Sequence, residues 1–370
     1  MMAHESRADR NGMIVDRAGH GAGEASAPIQ ITTVIPTFRR PALLRRAILS
    51  VLAQEGPSFQ VCVYDNASGD ETAAVVAELA AVDARVKYYC HDHNIGPFEN
   101  FQHALARITT PYFSTLSDDD FLLSGFFEAG IQGLEAHPEA VFWAGLTIRQ
   151  TGEGTVVAAS LENWPREGLF LPPEGMFEML RGNPLCWTSI LFRREVLDEV
   201  GLLDMQVGGP ADLDYLLRVT ARRSYVISKK PAAVFLLSQQ SFSETAPFAA
   251  FWPGWLKLID NTQAIAELPG PARERVQQIL HSDARRMLFR RAAGALAKRN
   301  YPFVRQSADV LRQHYRERLR GALLSSLTGL CSRVGWLQKL YSGAYAALER
   351  RLIKSRSGLQ ERYGDYTRPL

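Results

Sequence analysis

Cysteine is nearly absent from this chain. Its 370 residues hold four, Cys62, Cys90, Cys186 and Cys331, far apart and with no Cys-x-x-Cys pair. That spacing argues against a zinc site or a disulfide framework and fits a reducing compartment. Long apolar runs are missing too. No stretch reaches the roughly 18 uninterrupted apolar residues of a membrane span. The first 28 residues lack an apolar signal core. Rich in Gly, Ala and charge, they read as a disordered arm ending near Pro28. No internal repeat or long low-complexity tract appears.

Strong net charge is also lacking, but the value of +3 hides an asymmetry. Residues 271–370 carry 21 Lys+Arg against 7 Asp+Glu, which leaves 21 against 32 in residues 1–270. An acidic front and a basic tail suggest two parts with different partners.

What is present alternates between strand and helix. Ile29–Ile35 reads as a buried strand stopping at Pro36, and Pro41 opens a helix with Arg45 and Arg46 outward. Phe59–Tyr64, Val86–Cys90 and Tyr112–Leu116 read as further strands. Thr72–Ala81 and Phe98–Ile108 read as the helices between them. Such alternation predicts a doubly wound, largely parallel α/β sheet, which binds ligands beyond the carboxyl ends of its strands. Asp65, Asn94 and Asp118–Asp120 all fall just past strand ends, so three polar loops converge on one crevice. Farther on, Ala140–Arg149, Cys186–Phe192 and Tyr225–Ser228 read as strands. Thr151–Ala159 reads as a hairpin or loose loop, and Pro172–Leu180 and Ala211–Ala221 as helices. From about Ser243 the pattern is helical: Pro253–Ile265, Pro271–Arg299, Phe303–Arg320, Gly321–Val334 and Trp336–Lys354. In the last, Leu337, Leu340, Tyr341, Ala344, Leu348 and Leu352 share one face.

The triple acid Asp118-Asp119-Asp120 interrupts two apolar runs. Adjacent like charges repel, so a cation among them gives the cluster a purpose, and hard oxygen ligands suit Mg²⁺ or Mn²⁺. The competing reading is a solvated acidic turn capping a helix that starts near Phe121.

Six segments in order resemble the family 2 glycosyltransferases of GT-A fold. They are VIPTFRRPALLRRAILSVLAQ (34–54), VYDNASGDET (63–72), HNIGPFENFQHAL (93–105), SDDD (117–120), SILFRREVLDEVG (189–201) and ADLDYLLR (211–218). The resemblance covers about Ile29 to Ser228. It implies a GT-A type, doubly wound mixed sheet over residues 29–240, followed by a basic α-helical region over 241–370. It also implies a nucleotide-sugar donor, a divalent metal and inversion at the anomeric carbon. Carried over by position, Pro36 and Thr37 border the base and Asp65 accepts a hydrogen bond from it. Phe38, Arg40, Asn66, Asn94, Gly96, Asn100, Asp118 and Asp119 complete the donor side. Asp120, with Asp118, holds the metal, and Asp212 is the general base. Two departures stand out. Ala211 replaces an acid often found before the base, and Ser117 replaces an Asp.

Each residue has a plainer reading. Asp65 closes an Asx-turn, Gly96 serves a turn of unusual backbone angles, and Asp212 caps a helix. Asp214 is a secondary candidate base. His91 and His93 flank Asp92 but have no partner ligands at usable spacing and read as loop residues. Trp187 reads as core or as acceptor-pocket lining.

The expectation is a cytoplasmic enzyme adding a sugar to a glycan or lipid-linked acceptor in bacterial surface polysaccharide synthesis. Residues 321–354 would touch the anionic cytoplasmic face of the inner membrane as a basic amphipathic surface. No nucleic-acid motif is present. The alternatives are a metal-dependent nucleotidyltransferase and a catalytically silent, membrane-docked scaffold. The first lacks a Gly-rich phosphate loop after the first strand, and the second is kept open by Ala211 and Ser117.

Overall fold

The computed structural model describes residues 28–181, 185–237 and 247–367. The N-terminal arm expected up to Pro28 lies, but for that last residue, outside them. Four parallel strands form one half of the sheet: β1 (Ile31–Thr37), β2 (Phe59–Asp65), β3 (Val86–Cys90) and β4 (Tyr112–Thr115). Helices α1 (Pro41–Leu52), α2 (Thr72–Val82) and α3 (Pro97–Leu105) connect them. Side chains alternate across the sheet, as a two-residue period requires. On β2, Val61 and Val63 face a cluster with Leu44, Ile48 and Val76, while Cys62 and Tyr64 face the opposite cluster with Ala104 and Leu105.

Strand β1 continues through Pro36 to Thr37, where the sequence suggested a stop. Its last partner on β4 pairs with Val34, so Pro36 falls where that ladder has already ended and its missing N–H costs nothing.

The other half is mixed. The strand order is β3-β2-β1-β4-β9-β6-β10-β5, with β7 on β6 and β8 on β10. Here β5 is Phe121–Leu122, β6 Ala140–Thr151, β7 Val156–Ala159, β8 Gly168–Phe170, β9 Ile190–Arg193 and β10 Ser224–Leu237. The last is much longer than the sequence suggested. Its bulged, lysine-containing middle (Ser228–Pro231) masks the apolar stretch that follows, which pairs with β6 and β5. Phe121 begins strand β5 rather than a helix, and α4 (Phe126–Glu135) starts five residues later. Helices α5 (Glu174–Arg181), α6 (Glu195–Val200) and α7 (Ala211–Thr220) complete this half.

The C-terminal helices are α8 (Phe248–Asn261), α9 (Gly270–Ala297), α10 (Tyr301–Gln313), α11 (Arg318–Arg333), α12 (Gly335–Lys354) and α13 (Ser357–Tyr363). They share one buried cluster with the sheet, running from Val34 through Leu258, Leu280 and Leu311 to Cys331. Helix α12 seats itself differently from the expected leucine face. Gln338 donates to Leu296 O at 2.9 Å and Ser342 to Ala297 O at 2.7 Å, so polar groups take the inner side. Leu340, Leu348 and Leu352 are left exposed.

Candidate active site

The parallel strands aim their carboxyl ends at three loops, and the loops are tied together. Thr37 pairs with Asp65 across β1 and β2, and its hydroxyl donates to Asp118 at 2.8 Å. Asn66 N–H donates to Thr37 O, and its side-chain amide donates to Asn94 at 3.0 Å. Asn94 in turn accepts from Gly96 N–H at 2.8 Å. Gly96 has φ 92° and precedes the proline that opens α3, so only glycine sits there without strain. Asn100 donates to Tyr64 O and contacts His91 Nε2, both at 2.9 Å, which fixes the loop from behind.

Asp65 is buried and saturated. It accepts from Ser68 N–H at 2.9 Å, from the Ser68 hydroxyl and from the Tyr88 hydroxyl. Ser68 also accepts from Arg39 N–H at 2.9 Å, which locks the first loop to the second. Both loops carry a non-glycine residue in the left-handed region, Arg39 at φ 56° and Ala67 at φ 58°. Such backbone costs about 1 kcal/mol per residue and persists only where neighbours over-determine it. Phe38 stands partly exposed beside them.

The acidic turn is buried rather than solvated. Arg40 bridges two of its members, 3.1 Å from Asp118 and 2.9 Å from Asp119. Arg46, expected to face outward, turns inward instead. It donates to Asp119 O and lies over the Phe121 ring at 4.8 Å. The helical period had placed it beside Arg45, which does face out and pairs with Glu78. The Asp118 carboxyl is raised by burial, against Arg40 and the Thr37 bond, which pull it down.

Asp120 is separate in kind. It is fully enclosed, accepting from Thr188 Oγ1 at 2.7 Å and from Leu236 N–H at 2.9 Å. Burial, then the neighbouring Asp119 charge, pushes its carboxyl up to about 8. The Asp118–Asp120 pair suggested for Mg²⁺ or Mn²⁺ is thus not presented: the oxygens of both already accept from protein donors. Among the described residues no group of three His, Cys, Asp or Glu side chains could hold a metal ion. The residues as arranged do not fit that cation, and no step below runs through one.

Asp212 lies in the first turn of α7, exposed, accepting from Leu213 N–H at 2.7 Å. Desolvation by the surrounding protein raises its carboxyl, while the Leu213 N–H and the Arg149 charge work the other way. Arg149 also acts on buried Cys186, which in turn senses Asp120. Asp214, the secondary candidate, is buried in an ion pair with Arg218 at 3.0 Å and holds its helix in place. Trp187 is buried against Phe101, Phe192 and Tyr215.

Sequence reasoning missed Arg46, Ser68, Tyr88, Arg149 and Thr188. Ser68 and Arg46 fell inside quoted motifs. The other three sit in strands, or in the short turn before one, where nothing local marks an inward polar group.

Residues 32–201 match the family model described as Glycosyl transferase family 2. The GalNAc(5)-diNAcBac-PP-undecaprenol beta-1,3-glucosyltransferase of Campylobacter jejuni is 35% identical over 97 residues, 26% of this chain and 31% of that protein. Succinoglycan biosynthesis protein ExoO of Rhizobium meliloti is 34% identical over 90 residues, 24% of this chain and 25% of that protein. The chain therefore matches less than a third of the length of either relative. The crystal structure of S. aureus TarS 1-349 in complex with UDP-GlcNAc aligns with a TM-score of 0.58 at 14% identity, covering 83% of this chain and 92% of that one. That likeness is one of fold.

Proposed function

We propose that this chain, whose residues 32–201 match the Glycosyl transferase family 2 model, moves one sugar, with inversion, from a nucleoside diphosphate donor to a hydroxyl of a glycan or lipid-linked acceptor, in building a bacterial surface polysaccharide. The carrying observation is the tie of Thr37 to Asp118 beside Asp65, at the carboxyl ends of parallel strands, and the reading adds Asp212, exposed in the first turn of α7, as the base. In this reading the nucleoside rests against the Thr37, Asp65 and Asn66 loops. Asp212 takes the proton of the acceptor hydroxyl, and the freed oxygen attacks the anomeric carbon. The bond to the diphosphate breaks on the opposite side, and its electron pair leaves with the diphosphate. Fixed positive charge near that oxygen lowers the barrier. The Campylobacter jejuni relative, whose name includes PP-undecaprenol, supports a lipid-linked acceptor, and UDP-GlcNAc in the S. aureus structure supports a nucleotide sugar.

The test is release of nucleoside diphosphate from a panel of UDP-, GDP- and dTDP-sugars, with and without Mn²⁺. At least one donor should turn over, and Asp212→Asn should stop turnover while leaving nucleotide affinity intact. Full turnover in that variant would remove Asp212 as the base.

One surface favours a membrane-bound acceptor. Leu319, Leu323 and Leu330 on α11 and Trp336 and Leu340 on α12 are exposed, flanked by Arg318, Arg333 and Lys339. No helix among the described residues is long and apolar enough to cross a membrane. An apolar stripe with basic flanks fits the surface of an anionic bilayer.

A further inference from the structure

Arg149 stands on β6 with a guanidinium that no hydrogen bond or ion pair among the described residues answers. Its backbone pairs with Phe235 on one side and Ala158 on the other. The side chain lies over the Phe235 ring at 5.6 Å, and its Nε is buried without a hydrogen-bond partner. Among the described residues no carboxylate forms an ion pair with it, although its charge acts on Asp212. The other cations near the acidic turn are engaged: Arg40 by Asp118 and Asp119, Arg46 by Asp119 O.

A buried donor without a partner is costly, so the orphaned Nε of Arg149 calls for an acceptor, and the acceptor that suits a guanidinium is an anion. A diphosphate cannot settle on the acidic turn, whose carboxylates would repel it. Phe235 precedes Leu236, the residue whose N–H holds Asp120, so Arg149 stands next to that turn but beyond its carboxylates. The planar fork of arginine matches two phosphate oxygens at once.

We propose that Arg149 grips a phosphate oxygen of the ligand whose reacting hydroxyl or anomeric carbon lies beside Asp212. The phosphate belongs either to the donor's diphosphate or to a pyrophosphate-linked acceptor. This deepens the glycosyltransferase reading and rests on it for the choice of ligand, though not for the presence of an anion site.

The experiment uses the full chain, wild type, Arg149→Gln and Arg149→Lys, each checked for folding by its melting curve. Affinities for inorganic pyrophosphate, UDP and GDP are measured by calorimetry. Acceptor KM is measured for a polyprenyl-pyrophosphate-linked sugar and for a neutral octyl glycoside of the same sugar. A donor-side grip predicts about tenfold or greater loss of nucleotide and pyrophosphate affinity in Arg149→Gln, with Arg149→Lys between it and wild type. An acceptor-side grip predicts unchanged nucleotide affinity and about a tenfold rise in KM for the pyrophosphate-linked acceptor alone. Unchanged values for every probe overturn the proposal; should Arg149→Gln not fold, Arg149→Lys carries the same decision. Pyrophosphate binding that depends on Arg149 in a protein turning over no sugar nucleotide would keep the anion site and sink the glycosyltransferase reading instead.

Discussion

Thr188 gives its hydroxyl hydrogen to Asp120 across 2.7 Å, although the two lie 68 positions apart. Together with Leu236 N–H, that bond gives each oxygen of an enclosed carboxyl group a partner.

Thr188→Val keeps the shape and removes the donor. An unpaired buried acceptor costs about 1–3 kcal/mol, so the melting temperature should fall by several degrees. A melting curve matching wild type would mean that Asp120 does not need Thr188.

Asp120 also sets a pH dependence in chelator-treated protein. Its folded value, about 8, lies above that of an unfolded aspartate. It therefore favours the folded state while protonated, and this contribution is lost as pH rises from the ordinary carboxylate range through about 8. Asp120→Asn does not titrate. Its advantage over wild type should grow between about pH 5 and pH 8 by more than about 1.4 kcal/mol, the worth of one pH unit. Parallel stability profiles for the two proteins would contradict the buried ionisation.

Asp212 predicts the shape of the rate profile. A base must be unprotonated, so activity should climb with pH through its carboxyl, which crowding raises above the ordinary range. Arg149 holds that carboxyl down, so Arg149→Gln should move the acidic limb to higher pH. A limb that stays in place, read from kcat against pH, would separate the two residues.

Ser68 is a hinge pin between loops. Ser68→Ala deprives Asp65 of its hydroxyl donor and leaves Arg39 N–H unpaired. Nucleoside diphosphate affinity should fall about five- to tenfold, since one hydrogen bond to a charged group contributes about 1.5–3 kcal/mol and only part is lost through positioning. Calorimetry with UDP and GDP reads this directly.

The exposed stripe on α11 and α12 predicts flotation with anionic vesicles. Trp336 and Leu340 are 66% and 63% exposed, so Trp336→Asp with Leu340→Asp should leave the melting temperature within about 1 °C while reducing flotation several-fold. Equal flotation of both proteins would rule the stripe out as the contact.

The convergence of three loops at the strand ends was legible because strand ends and polar loops are local signals: Asp65, Asn94 and Asp118 follow apolar runs. The second half was harder. The bulged middle of β10 hides its length; the helix at Phe126 was legible to within a residue, whereas the two-residue β5 beside the triple acid was not. Arg46 and Arg149 were invisible for a different reason. Which way an arginine turns on a regular element is decided by what packs against it, here Phe121 and Phe235.

Asn261, at the end of α8, donates to Asp204 at 2.9 Å and to Asp214 at 2.8 Å. On the same helix, Gly254 approaches Val207 O so closely that a methyl there would sit 2.2 Å from it. A chain cut after β10 would strip Asp214 of an amide donor and uncover the loop that leads into α7. The first C-terminal helix is a splint for α7, and the smallest fragment worth expressing alone runs past Asn261.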